Sequence, residues 1–283
     1  MAEIGKFNTL AVVKQVEFGI YLDGGELGEI LLPRRYVPEG ARVGDKLEVF
    51  LYLDSDDRLI ATTEKPLAQV GEFAFLQVAS VTPIGAFLNW GLPKDLLVPF
   101  REQLTPMREG KGYCVHVHLD PASRRIVAST KLNKHLSKKP TGFREGQEVG
   151  LLVCERTDLG YKTIVENAAW GTLYKNEVFR ELEPGQRLVG YIRKVRDDGK
   201  LDIRLQKPGF GEIADLSAAI LARLEAAGGF LEVTDHSPPE AIAALFGVSK
   251  KAFKIAVGAL YKKRMITLDD FGITLAAKKP PPR

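Results

Sequence analysis

An internal repeat constrains this chain more than any other feature of its 283 residues. The first copy runs GKFNTLAVVKQVEFGIYLDGGELGEILLP and closes with VGDKLEVFLYLDSDDRLIATTEKP. The second runs GEFAFLQVASVTPIGAFLNWGLPKDLLVP and closes with REGKGYCVHVHLDPASRRIVASTKL. The third runs GQEVGLLVCERTDLGYKTIVENAAWGTLY and closes with PGQRLVGYIRKVRDDGKLDIRLQKP. In each, an alternating strand precedes a glycine inside a second strand (Gly19, Gly85, Gly160), then a Gly-containing turn and a short third strand. A second glycine (Gly44, Gly110, Gly185) opens another alternating strand, and a last short one closes the copy. The copies are offset by 66 and then 75 residues. Such self-similarity marks one structural unit used repeatedly.

Each copy predicts five short strands. In the run Leu47 to Leu53 the odd positions form one apolar face, the period of two expected of a strand. A glycine within a strand suits a sharp bend or a close backbone approach. Five strands in about 65 residues fit a small barrel of the OB type. The predicted fold is mainly β: three tandem OB-type barrels over residues 1–66, 67–140 and 141–208, then a fourth domain at 209–283 where the periodicity changes.

Each copy resembles the S1 RNA-binding domain. The resemblance centres on Phe18-Gly19-Ile20-Tyr21-Leu22 and Ile84-Gly85-Ala86-Phe87-Leu88. That family has two exposed aromatics flanking the glycine and a histidine about a dozen residues later. Here those places read Phe18, Tyr21 and Pro33 in the first copy, Ile84, Phe87 and Pro99 in the second, and Leu159, Lys162 and Tyr174 in the third. Taken whole, the chain resembles the conserved virulence factor B family of bacteria, through VFLYLDSDDRLIATTEKP, GLPKDLLVP and SKKAFKIAVGALYKKRMI. The resemblance spans nearly the entire chain. It implies three S1-like barrels, a C-terminal winged helix and RNA as ligand; it does not imply a catalytic site.

The C-terminal segment gives the same answer from its own pattern. Asp215 to Ala227 predicts a helix with Leu216, Ile220, Leu221 and Leu224 on one face, ended by Gly228 and Gly229. Ser237 to Phe246 predicts a second helix with Ser237 as N-cap. After the turn Gly247-Val248-Ser249, Ser249 caps a third helix, Lys250 to Arg264, and Met265 to Leu275 predicts a hairpin turning at Asp269 to Gly272. Helix, helix, turn, helix and hairpin make a winged helix-turn-helix. On the third helix Phe253, Ala256, Val257 and Leu260 face inward, while Lys250, Lys251, Lys254 and Lys262 face outward as a phosphate-seeking surface. No Arg, Asn or Gln stands between Lys250 and Lys263 to read base edges, and Asp269 and Asp270 at the wing tip would repel a phosphate backbone.

Charge separates the copies. Residues 1–66 hold 8 basic and 12 acidic side chains, and residues 67–140 hold 10 and 5, within a chain of net charge +4. The second copy is the electropositive one. Aromatics interleaved with cations supply what single-stranded nucleic acid requires, a flat face for a base and a charge for a phosphate. The candidate RNA contacts are Phe18, Tyr21, Arg34 and Arg35 in the first copy; Phe87, Trp90, Lys94, Phe100 and Arg101 in the second; Lys131 and Lys134 in the basic segment that runs to Pro140; and Tyr174 and Lys175 in the third.

Other chemistries find less support. Cys114, His116 and His118 alternate along one strand, but alternate residues stand about 6.6 Å apart, too far to close a tetrahedron. No metal and no other cofactor is expected, and this strand face is read as a polar outer surface open to RNA. No P-loop and no G-x-S-x-G nucleophile occurs, so no catalytic residue is assigned. Two cysteines are too few for a disulfide framework, no signal peptide is recognised, and no apolar run is long enough to span a membrane, so a cytoplasmic location is expected. The expected partner is single-stranded RNA, held with low sequence preference in post-transcriptional regulation. The alternatives are DNA bound by the winged helix of a transcription regulator, or a protein of the translation or transcription machinery docked on the acidic first barrel.

Overall fold

The computed structural model describes residues 1–138, 141–175, 178, 181–205 and 211–276, with the side chains of 211–215 excepted. Two of the expected domain boundaries, Pro140 and Pro208, lie outside those residues. The chain divides into two compact units, Met1–Ser137 and Lys138–Arg283.

The first unit holds two barrels. Barrel 1 comprises β1 (Phe7–Val16), β2 (Gly19–Asp23), β3 (Glu29–Pro33), β4 (Lys46–Leu53) and β5 (Leu59–Thr62), closed in the order β1-β2-β3-β5-β4. Barrel 2 repeats that order with β6 (Phe73–Thr82), β7 (Gly85–Asn89), β8 (Leu96–Pro99), β9 (Gly112–Leu119) and β10 (Ile126–Ser129). Barrel 3, in the second unit, repeats it again with β11 (Glu148–Thr157), β12 (Gly160–Val165), β13 (Ala169–Tyr174), β14 (Arg187–Val195) and β15 (Leu201–Arg204). In all three, the third and fifth strands pair in parallel while the other pairings are antiparallel.

The repeated glycines have a repeated cause. Gly19, Gly85 and Gly160 each begin the second strand of their barrel at positive φ. A Cβ there would lie 2.2 Å from the Leu32 carbonyl oxygen, 2.3 Å from that of Val98, or 2.0 Å from that of Leu173. Only glycine lets the third strand approach this closely. The second glycine of each copy donates its N–H to the bulged first strand, at Val12, Val78 and Val153, with lengths of 2.9, 2.9 and 2.8 Å. The bulge sharpens the coil that closes a small barrel.

The alternation in β4 departs from the sequence reading. Val49 and Leu51 enter the barrel 1 core as expected, but Phe50 and Tyr52 on the opposite face are buried too. They belong to the core of barrel 2, where Phe50 meets Trp90 edge-on at 5.8 Å. The outer face of barrel 1 is therefore an inner face of the first unit. Lys94 reinforces this packing by reaching Asp57 at 3.3 Å and the Asp54 carbonyl, and Arg125 pairs with the same Asp57. Neither Cys114 nor Cys154 is a free thiol.

The second unit ends in a winged helix: α1 (Gly211–Ala226), β16 (Phe230–Leu231), α2 (Pro239–Phe246), α3 (Lys250–Lys262), β17 (Ile266–Leu268) and β18 (Ile273–Leu275). Its core joins Leu216, Ile220 and Leu224 of α1 to Phe253, Ala256, Val257 and Leu260 of α3. The expected Ser249 cap is present, its hydroxyl accepting from the Ala252 N–H at 3.2 Å. Ser237 does not cap α2; its hydroxyl accepts from the Thr234 N–H at 2.9 Å, and the helix starts after Pro238. The short β16, which the sequence pattern did not mark, completes a three-stranded sheet with the wing hairpin. Among the described residues, no helix is long and apolar enough to cross a membrane.

Candidate nucleic-acid interface

The close approach at each first glycine assembles one rim site per barrel. In barrel 1 the glycine pairs across the sheet with Pro33, and the Phe18 carbonyl accepts from the Arg34 N–H at 2.9 Å. Phe18, Tyr21 and Arg34 therefore surround one point of the rim. Phe18 is 59% exposed and meets Tyr21 edge-on at 6.4 Å. Lys14, which the sequence reading passed over, lies 4.5 Å from the Tyr21 ring centre and pairs with Glu29. Arg35 stacks on Tyr36 at 4.6 Å, and both arginines are exposed.

The residue before the glycine is an exposed, large apolar side chain in every copy. Ile84 is 61% exposed and Leu159 is 66% exposed, at the place held by Phe18 in barrel 1. The residue after the third strand is also equivalent: Arg34, Phe100 and Lys175. In barrel 3 the Lys175 N–H donates to the Leu159 carbonyl at 3.0 Å, repeating the Arg34 bond to Phe18. The rim is thus apolar beside cationic in barrels 1 and 3. In barrel 2 it is apolar throughout, with Ile84, half-buried Phe87 and Phe100, which is 52% exposed.

Several candidates occupy other surroundings. Trp90 is only 3% exposed, and its indole N–H donates to the Lys94 carbonyl at 2.7 Å. It is a core side chain of the first unit and cannot stack on a base. Lys94 is held against barrel 1 rather than presented at the rim. Arg101 reaches the Asp120 carboxylate at 2.6 Å, while Lys131 donates to the Arg101 carbonyl and Lys134 stands 3.9 Å from Glu102. A hydrogen bond from Ser123, joined by Arg101, holds the Asp120 carboxyl below the usual carboxylate range. These cations remain beside Phe100, but as parts of a tied network. In barrel 3 the Tyr174 hydroxyl donates to Asp202 at 3.1 Å, and Lys162 lies 4.0 Å from the Trp170 ring centre.

Within the second unit, barrel 3 and the winged helix flank a cleft of about 630 Å³. Arg156, Lys175 and Lys250 line it, together with Ala243, Ala244 and Val248. Arg156 pairs with Glu181 at 3.1 Å, and Lys250 donates to the His236 carbonyl at 3.1 Å. Lys254 turns back onto Asp235 at 3.1 Å, while Lys251 and Lys262 point to solvent. Of the four lysines expected on the winged-helix surface, one thus faces barrel 3. At the wing tip Asp269 accepts from the N–H groups of Phe271 and Gly272, both at 2.8 Å.

The outer face of β9 is not the open polar surface its sequence suggests. The segment after β10, the basic run that carries Lys131 and Lys134, folds back with Leu132 and Leu136 buried. It places His135 on His116 with ring centres 4.0 Å apart and 5.0 Å from His118. His116 is 8% exposed. Burial and the neighbouring His135 and His118 push its pKa down to about 4. The alternation along β9 marked two of these rings; nothing local in sequence marks His135, which arrives through tertiary folding. Lys139 and Pro140, the end of the basic segment, lie outside the described residues.

Parts of the chain match family models, and most of its length is similar to known proteins. Residues 4–64 match the model of the S1 domain, and residues 218–275 match the CvfB-like winged helix domain. An uncharacterized Bacillus subtilis protein, YitL, is 28% identical over 91% of this chain and 89% of its own length. Conserved virulence factor B of Staphylococcus epidermidis is 26% identical over 97% of this chain and 95% of its own length. A Streptococcus pneumoniae crystal structure, described as a multidomain protein with nucleic acid binding domains, is 26% identical. It covers 96% of this chain and 98% of that one, with a TM-score of 0.42.

Proposed function

From the premise that this chain is a relative of the conserved virulence factor B proteins, with an S1 domain and their winged helix, we propose that it holds single-stranded RNA on its barrel rims. It does so without catalysis and with little sequence preference, as a cytoplasmic post-transcriptional regulator. S1 and winged-helix domains are nucleic-acid-binding types. The finer reading rests on one observation: Phe18, Ile84 and Leu159 stand exposed at the same rim position in all three barrels.

A single exposed apolar side chain is ordinary, but exposure recurring at one rim position of three repeats supports a shared contact surface. A splayed base offers an apolar face of matching size, and base stacking on aromatics contributes about 1–3 kcal/mol per base without reading its edge. Arg34 and Lys175 stand beside that position in barrels 1 and 3 and can meet phosphates, which supply affinity but no sequence information. The third helix of the winged helix keeps two of its four candidate lysines turned inward or paired, which favours the barrels over the winged helix as the main contact.

Fluorescence anisotropy with single-stranded oligoribonucleotides of several sequences tests the proposal. Binding should be similar across sequences and should weaken linearly in log salt. A strong preference for duplex DNA, or affinity indifferent to salt, would overturn it.

A further inference from the structure

Three of the chain's four histidines meet at one place on barrel 2. His116 and His118 stand two residues apart on one face of β9, and His135 reaches them from the returning segment after β10. One nitrogen from each ring lies within 4.8 Å of the others. His116 Nδ1, His118 Nδ1 and His135 Nε2 are all buried and lack a hydrogen-bond partner. We propose that this triad is a binding site for a divalent transition-metal cation of the zinc class, which pins the segment Lys131–Ser137 to β9.

The donor set fits that class. Neutral imidazoles bind zinc well and bind magnesium or calcium poorly. His116 Nδ1 is buried without a partner, so a ligating nitrogen is free of competing hydrogen bonds. Zinc–nitrogen bonds of about 2.0–2.1 Å place tetrahedral ligands roughly 3.4 Å apart, so the rings must draw in by about an ångström. Rotation about each Cβ–Cγ bond supplies such a shift without moving the backbone. Glu102 lies close enough for its charge to act on His118 and His135, and it offers a carboxylate to offset part of the cation's charge. Cys114, the third member of the strand pattern, is not a free thiol and is no donor.

The test uses the full chain after chelator treatment, with Zn²⁺ titrated against a chromophoric chelator and Co²⁺ as a spectroscopic probe. One equivalent should bind, Co²⁺ should give the ligand-field band of nitrogen coordination, and Zn²⁺ should raise the unfolding temperature. His135→Ala and His118→Gln should each weaken binding by at least about tenfold. His236→Ala should change nothing, because His236 lies apart on the winged helix with its side chain 89% exposed. The metal-free unfolding temperature of His135→Ala should match that of the parent, which separates impaired ligation from impaired folding. Absence of saturable uptake, uptake unchanged in His135→Ala, or an equal weakening in His236→Ala would each overturn the proposal.

Discussion

At the scale of single residues, aromatics that look alike in sequence take opposite roles. Trp90 and Phe100 stand ten positions apart in the same copy, yet one is buried against Phe50 and the other is half-exposed at the rim. Their difference depends on barrel 1 covering one side of barrel 2, an arrangement that no local pattern encodes. Trp90→Ala should cost about 3–5 kcal/mol of stability, as large core truncations do, read by urea unfolding. Phe18→Ala and Phe100→Ala should leave the unfolding midpoint nearly unchanged and weaken RNA binding roughly five- to a hundredfold, the worth of one stacked base. If Phe18→Ala binds RNA as the parent does, the rim is not the contact. Asp120 gives a pH-dependent counterpart. Its folded pKa is depressed by Ser123 and Arg101, so its stabilising effect is full above the unfolded value near 3.9 and fades as pH falls through the folded value. Asp120→Asn should therefore be less stable than the parent at neutral pH, and the gap should close in acid, as followed by thermal melts.

At the scale of elements, the sequence was most informative where a backbone requirement recurs. The glycines at 19, 85 and 160 announced the strand junctions because each admits a carbonyl where a Cβ cannot fit. Hydrophobic alternation located β1 to β15 but hid the second buried face of β4, since Phe50 and Tyr52 face another barrel. The Ser249 cap was legible because its partner is three residues away, whereas β16, two residues long, has no period to detect. The glycines themselves give a graded prediction. Gly44→Ala meets no atom within 4 Å and carries only the strain of its positive φ, about 1 kcal/mol. Gly160→Ala adds a collision with the Leu173 carbonyl, which should cost about 1–3 kcal/mol more. Denaturant midpoints of the two variants decide this; equal destabilisation would mean that the third strand yields freely.

At the scale of the whole molecule, the repeat made the barrels legible and concealed how unequal they are. The charge balance singled out the second copy, but the structure commits Lys94, Arg101 and Lys131 to partners within the first unit. The third copy, nearly neutral by composition, brings Lys175 to a cleft with Lys250 of the winged helix. No sum over a linear segment reveals two cations from separate domains facing one space. A strand of nucleic acid leaving the Leu159 rim meets Lys175 first, since its backbone bonds to Leu159, and Lys250 lies across the cleft. If the strand follows that path, Lys175→Glu and Lys250→Glu should weaken RNA binding together, each releasing about one phosphate. The slope of log affinity against log salt should then shrink by about 0.7 for each phosphate no longer neutralised, the value for single strands. Lys251→Glu, on the solvent side of α3, should change the slope little. Anisotropy titrations over a series of salt concentrations measure all three. A slope reduced by Lys251→Glu but not by Lys175→Glu would move the RNA path from the cleft to the outer face of the winged helix.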